Sequence, residues 1–173
     1  MNPLMCVREA AAALRAGQFS ALELTEAHLA RIAQANPTLN AFLAVDAEAA
    51  RAAARQADDE LRAGRVRGPL HGIPIAHKDL FCTAGLETTC GSKVFAGYVP
   101  DFDAAVVEKL RAAGAILLGK THLHEFAFGI TSNNPHYGPV RNPWDPSRIA
   151  GGSSGGSGAA LAAGLAMLAT GTD

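Results

Sequence analysis

A layered α/β fold is the architecture this sequence predicts, and three observations carry it. The first third of the chain reads as amphipathic, alanine-rich helix around one short apolar run. Further on, the apolar stretch Ile75–Phe81, the amphipathic segment Asp103–Ala113 and the continuous apolar run Ala115–Leu118 spell strand, helix, strand, the pattern of a parallel pair with its crossover helix. Finally, 173 residues with 49% hydrophobic content are enough for one domain with a real core.

The elements follow in order. Ser20 and Glu23 form a capping box, in which hydroxyl and carboxylate each satisfy a free backbone N–H, and Leu24, Ala27, His28 and Ile32 follow at helical spacing. Asn36-Pro37 predicts the end of that helix. Leu39–Val45 is apolar enough for a short strand, and Asp46–Arg65 is an alanine-rich helix with its charges on one solvated face. From Gly68 the character changes, because Gly68-Pro-Leu-His-Gly-Ile-Pro74 leads into an apolar strand interrupted by His77, Lys78 and Asp79. Gly114 stops the Asp103–Ala113 helix. Proline and glycine thicken from Asn133 to Gly158 into a long irregular segment, of the kind that is usually functional or disordered in compact domains. Ala159–Thr170 then reads as helix. No internal repeat is present.

Composition narrows the function classes. Fifteen basic against 16 acidic residues give a net charge of −1, which offers no electrostatic footprint for nucleic acid or an anionic membrane. The longest strongly apolar run, Ala159–Leu168, is about half of what a membrane-spanning helix needs. Arg8 and Glu9 put charge where a signal peptide has its apolar core, so a cytoplasmic protein is expected. The 3 cysteines, Cys6, Cys82 and Cys90, are odd in number and without CxxC spacing, which predicts free thiols rather than a disulfide framework or a zinc knuckle.

Two features carry chemistry. Lys78 stands among Ile73, Ile75, Leu80 and Phe81; buried there, its ammonium would lose hydration, its pKa would fall and it could act as a base near neutral pH. The commoner reading of the same pattern is an exposed Lys78–Asp79 pair at a strand edge, and the pattern alone leaves both open. The second feature is Gly151-Gly-Ser-Ser-Gly-Gly-Ser-Gly158, whose glycines would let serine hydroxyls and backbone N–H groups converge on one point. A flexible linker, a phosphate-binding loop and simple helix capping compete; the segment joins two ordered stretches and no Gly-Lys-Ser/Thr follows, so capping is the strongest of these. His122 and His124 lie two apart, the spacing of a candidate metal pair, but no third ligand stands at a sensible spacing and no metal is expected. His71, His77 and His136 read as structural groups.

Taken together and in order, Gly68-Pro-Leu-His-Gly-Ile-Pro-Ile-Ala-His-Lys-Asp79, Gly138-Pro-Val-Arg-Asn-Pro-Trp-Asp145 and Gly151-Gly-Ser-Ser-Gly-Gly-Ser157 resemble the amidase signature family, over a stretch from about Ser20 to the last residue. The resemblance implies a mixed sheet covered by helices, of which the N-terminal part is present: one domain over 1–173, mainly helical over 1–65 and α/β over 66–173. It implies hydrolysis of amide C–N bonds by a Ser–cis-Ser–Lys triad through an acyl-enzyme, without cofactor or metal. Lys78 matches the lysine base, Ser153 the cis-serine, Ser154 a supporting hydroxyl, and Ala127, Phe128 and Gly129 a stretch lining the acyl pocket. In the family the nucleophilic serine follows the Gly-Thr-Asp sequence found here at 171–173, so these 173 residues alone are expected to be inactive, and to expose edges that favour a homodimer or self-association. Within the family, Thr88-Thr-Cys-Gly-Ser-Lys93 resembles the transamidase branch, the A subunit of the glutamyl-tRNA amidotransferases, which works with partner subunits and tRNA. His124-Glu125, where the transamidase usually has Asp-Glu, resembles the free-standing amidases acting on small-molecule amides, and the balance leans to an amidase. A non-catalytic remnant serving as a binding module is the reading from another class.

Overall fold

The computed structural model describes residues 5–173. Five helices, α1 (Val7–Arg15), α2 (Ala21–Leu39), α3 (Ala47–Arg62), α4 (Ala105–Ala112) and α5 (Gly155–Ala162), surround a sheet of four strands, β1 (Phe42–Val45), β2 (Pro74–Lys78), β3 (Ile116–Thr121) and β8 (Leu168–Ala169). Two short hairpins, β4 (Asn133–Asn134) with β5 (Gly138–Pro139) and β6 (Arg141–Asn142) with β7 (Asp145–Ile149), occupy the irregular segment before α5.

The sheet order is β1-β3-β2-β8. β2 runs parallel to β3 and to β8, whereas β1 is antiparallel to β3, which makes the sheet mixed. The strand–helix–strand unit is realised with α4 as crossover, and Gly114 at φ +84 turns the chain from α4 into β3. β2 is buried along its whole length, as an inner parallel strand requires.

The helical N-terminal region assembles as its caps and alanines dictate. The Ser20 hydroxyl accepts from the Glu23 N–H at 3.0 Å, and the Glu23 carboxylate accepts from the Ser20 N–H at 2.8 Å. Asp58 of α3 reaches across to accept from the N–H groups of Ala21 and Leu22, so α3 supplies the anion that the positive end of α2 favours. Ala50, Ala54 and Ala57 form the buried stripe of α3, joining Leu24, Leu29 and Ile32 of α2 in the core.

Two boundaries differ from the sequence reading. α2 does not stop at Asn36-Pro37: Pro37 sits in its last turn and the helix closes at Asn40, whose φ of +52 is the left-handed conformation that asparagine tolerates. Asn36 then holds the exit, accepting from the Phe42 N–H at 2.7 Å and donating to the Phe42 carbonyl at 3.1 Å. Ala159–Thr170 is not one helix either. α5 starts earlier, at Gly155, and ends at Ala162; the chain turns at Gly164 (φ +65) and Leu168–Ala169 adds to the sheet beside β2, because Ile75 and Ala76 offer that strand an apolar partner. Among the described residues no helix is long and apolar enough to cross a membrane.

Candidate active site

Strand alternation sends the Lys78 side chain to the α5 face of the sheet, and His77 to the opposite face. Lys78 has no exposed surface. Its Nζ lies 2.8 Å from Ser153 Oγ, 2.9 Å from Ser154 Oγ and 2.6 Å from Thr172 Oγ1. Its backbone is equally held, the N–H donating to Thr170 Oγ1 at 2.9 Å. The pairing of Lys78 with Asp79 that the sequence left open is not formed, since Asp79 points the other way and meets Lys120.

The serines reach Lys78 because glycine lets α5 come close. A Cβ on Gly156 would stand 2.4 Å from both the backbone N and O of His122, and one on Gly155 would stand 2.4 Å from Ser132 Oγ. The Gly152–Ser153 peptide is cis. Ser153 is fixed through its carbonyl, which accepts from the His124 N–H at 3.0 Å and from Ser132 Oγ at 3.2 Å, leaving the half-buried Ser153 hydroxyl free to face Lys78. Ser132 Oγ in turn accepts from the Gly155 N–H at 3.1 Å. Deeper in, Thr121 and Ser157 share a 2.7 Å hydrogen bond, and Ser157 donates to the Thr170 carbonyl at 2.8 Å, tying β3, α5 and β8 together beneath the cluster.

Every side-chain partner of the Lys78 amine among the described residues is a hydroxyl, and no carboxylate lies within ion-pair distance of it. Burial therefore acts unopposed and pushes the Lys78 pKa below its usual value. A neutral amine has two N–H donors and one lone pair, so three surrounding hydroxyls divide into two acceptors and one donor. Ser154 Oγ already points a donor at the Thr172 carbonyl, 3.3 Å away, and so accepts from the amine. Such an arrangement can pass a proton from a serine hydroxyl to nitrogen and back.

The structure thus brings Lys78, Ser153 and Ser154 together. Ala127, Phe128 and Gly129 lie on the segment that leaves His124, the residue holding the Ser153 carbonyl; Phe128 is 91% exposed, and Gly129 lets the chain pass over the His124 ring. His122 and His124 form no metal pair and are used separately. His122 is wholly buried with Nδ1 accepting from the Leu123 N–H, whereas His124 contacts Thr131 Oγ1 at 3.2 Å. Thr172 and Ser132 were missed by the sequence reading; Thr172 stands in the Gly-Thr-Asp already quoted, whereas nothing around Ser132 marks it. A cavity of ≈ 350 Å³ opens on the other face of the sheet, between α3 and α4, lined by His71, His77 and by Arg67 and Arg111; each arginine is already paired with a carboxylate, and the lysine–serine cluster does not border it.

An α/β domain with a buried, charge-unpaired lysine under two glycine-flanked serines is what the fold and the site define, and comparison with known proteins is specific about it. The Amidase family model matches residues 23–173, and the chain belongs to that family. It is 58% identical over 167 residues to the glutamyl-tRNA(Gln) amidotransferase A subunit of Azoarcus sp. (strain BH72), covering 96% of this chain and 34% of that one. Its counterpart in Cupriavidus necator is 58% identical, with 96% and 33% covered. Among solved structures, an amidase superposes with a TM-score of 0.91 at 48% identity, covering 98% of this chain and 38% of that one. The native peptide amidase of Stenotrophomonas maltophilia gives 0.88 at 40% identity, with 95% and 35% covered. The chain spans about a third of the length of the curated relatives it matches.

Proposed function

We propose that this chain is the N-terminal part of one amidase signature domain, helical over 1–65 and catalytic over 66–173, and that it supplies the base and relay of a serine-dependent amide cleavage. The observation that carries the reading is the 2.8 Å approach of a charge-unpaired, fully buried Lys78 amine to Ser153 Oγ. Neutral Lys78 takes the Ser153 proton, Ser153 takes that of a nucleophilic serine, and the resulting alkoxide attacks the amide carbonyl. Collapse of the tetrahedral adduct breaks the C–N bond, the proton returns through Ser153 to the leaving amine, and water then hydrolyses the acyl-enzyme by the same relay. Ser154 and Thr172 hold the amine in place. Ala127, Phe128 and Gly129 flank the acyl group. The nucleophile and the oxyanion donors come from residues beyond 173, so the isolated chain does not turn over amides. No cofactor or metal takes part, and the setting is the cytoplasm.

The test uses the full-length protein with aryl and alkyl amides. Ser153→Ala and Lys78→Ala each lower acylation by orders of magnitude while thermal melting stays cooperative; amide turnover unchanged by Lys78→Ala at neutral pH would remove the reading. Purified residues 1–173 alone show no turnover, and serine-dependent activity there would show that the nucleophile lies within them.

A second reading has its own support: the 58% identity to the tRNA-dependent amidotransferases. In it, the same site releases ammonia from glutamine for a partner subunit that works on tRNA. Glutaminase activity of the full-length chain, with and without partner subunits, separates the two.

A further inference from the structure

Where β2 ends, Lys78 turns to one face of the sheet and Asp79 to the other, and the relay described above uses only Lys78. Asp79 is 1% exposed and its Oδ1 lies 3.4 Å from Nζ of the fully buried Lys120. Asp79 Oδ2 accepts from the Thr89 N–H at 3.0 Å and from the Thr89 hydroxyl at 2.5 Å. Lys120 Nζ donates to the Phe81 carbonyl and to Thr88 Oγ1, each at 2.7 Å. The pair therefore joins the end of β2, the end of β3 and the loop around Thr88 and Thr89.

Following the hydrogen bonds outward closes a circuit. The Cys90 N–H donates to the Asp79 carbonyl at 2.9 Å, and the Cys90 carbonyl accepts from the Phe126 N–H at 2.8 Å. Asn134 Nδ2 donates to the Gly91 carbonyl at 2.7 Å. Both reach the 122–134 segment, whose His124 N–H holds the Ser153 carbonyl at 3.0 Å. The circuit starts at Lys78, passes through Asp79 and the Thr89–Gly91 turn, and returns to Lys78 through Ser153. Burial pushes Lys120 down and Asp79 up, and each charge opposes the shift of the other. Stability alone does not account for such a pair, because a buried ion pair is often no better than well-packed apolar residues of the same volume, while its directional bonds specify one arrangement.

We propose that Asp79 and Lys120 are positioning residues for amide cleavage, anchoring the Thr88–Gly91 turn so that Lys78 Nζ and Ser153 Oγ stay at bonding distance. This rests on the assignment of Lys78 and Ser153 made above. The full-length enzyme tests it, through kcat and KM for its amide or glutamine substrate and the folded fraction by circular dichroism. Thr89→Val, nearly isosteric, lowers kcat about 10-fold by removing one hydroxyl from Asp79, with KM within about twofold and folding unchanged. Thr89→Ser, which keeps the hydroxyl, restores most of the parent kcat. Asp79→Asn lowers kcat about 100-fold, the scale of an ångström-sized misplacement of reacting groups. Parent-like kcat in Thr89→Val, or equal impairment in Thr89→Val and Thr89→Ser, overturns the proposal, and this comparison decides even where Asp79→Asn does not fold. Lys78→Ala, run beside them, separates the failures: if it stays active the underlying assignment falls, and if it is dead while Thr89→Val is parent-like only the positioning role falls.

Discussion

Lys78 and Lys120 stand on neighbouring parallel strands, one residue apart in register, and neither exposes any surface. Burial lowers the pKa of both. What separates them is the company each face of the sheet provides. Lys78 meets three hydroxyls and no carboxylate. Lys120 meets Asp79, a carbonyl and two threonine hydroxyls, with the carboxylate opposing the effect of burial. The same side chain at the same depth thus has its charged form left uncompensated in one setting and paired with a carboxylate in the other, because desolvation costs the charged form dearly only where no opposite charge compensates it.

That contrast can be broken at its larger end first. Lys78→Ala in the full-length enzyme lowers kcat/KM for amide cleavage about 10³-fold, within the range for loss of a general base, while unfolding stays a single cooperative transition; steady-state kinetics with urea titration checks both. Lys120→Met acts through the ion pair, leaving the Asp79 carboxylate buried and unpaired at a cost of about 3–5 kcal/mol, measured as a lower urea midpoint.

His77, beside Lys120 on the carboxylate-bearing face, sharpens the comparison through pH. Burial, and next the Lys120 ammonium, push its pKa from 6.5 down to about 4. Folded protein therefore holds His77 neutral while the unfolded chain takes up a proton below its ordinary pKa. The associated stability is fully present above pH 6.5 and is lost as pH falls towards 4, by about 3 kcal/mol in total. Thermal melts across that interval show a steeper loss for the parent than for His77→Gln; equal slopes would assign the acid sensitivity elsewhere. The smallest effect is at Ser154, where Ser154→Ala removes one of three hydroxyls from Lys78 and costs about 1 kcal/mol of stability, read from a urea titration, without the loss of turnover expected of Ser153→Ala.

Much of the fold was legible because its signals are local. Ser20 and Glu23 announce their helix three residues apart, and Ala115–Leu118 announces a buried strand by the absence of any polar residue. The misread boundaries have equally specific causes. Pro37 lacks an N–H but is tolerated because Asn40, not Asn36, takes the left-handed closing conformation. Leu168–Ala169 looks helical in sequence and becomes a strand because β2 has an open side to pair with. At the site, Lys78, Ser153 and Ser154 were singled out by the order of three motifs, whereas Ser132 and Thr172 were not, since each stands among small polar residues, beside Thr131 and Asn133 or Gly171 and Asp173, with no pattern to set it apart.

Residue order by itself determined the helices, the parallel strand pair, the glycine-rich approach to Ser153 and the presence of a lysine where strand β2 runs out, since propensity, capping and close approach act over a few neighbouring positions. Only tertiary structure decided which charge each lysine faces. Asp79 adjoins Lys78 in the chain yet pairs with Lys120, 41 positions on from it. Successive side chains on a strand point to opposite faces of the sheet, so adjacency in sequence holds those two charges apart and the neighbouring strand brings the distant one in.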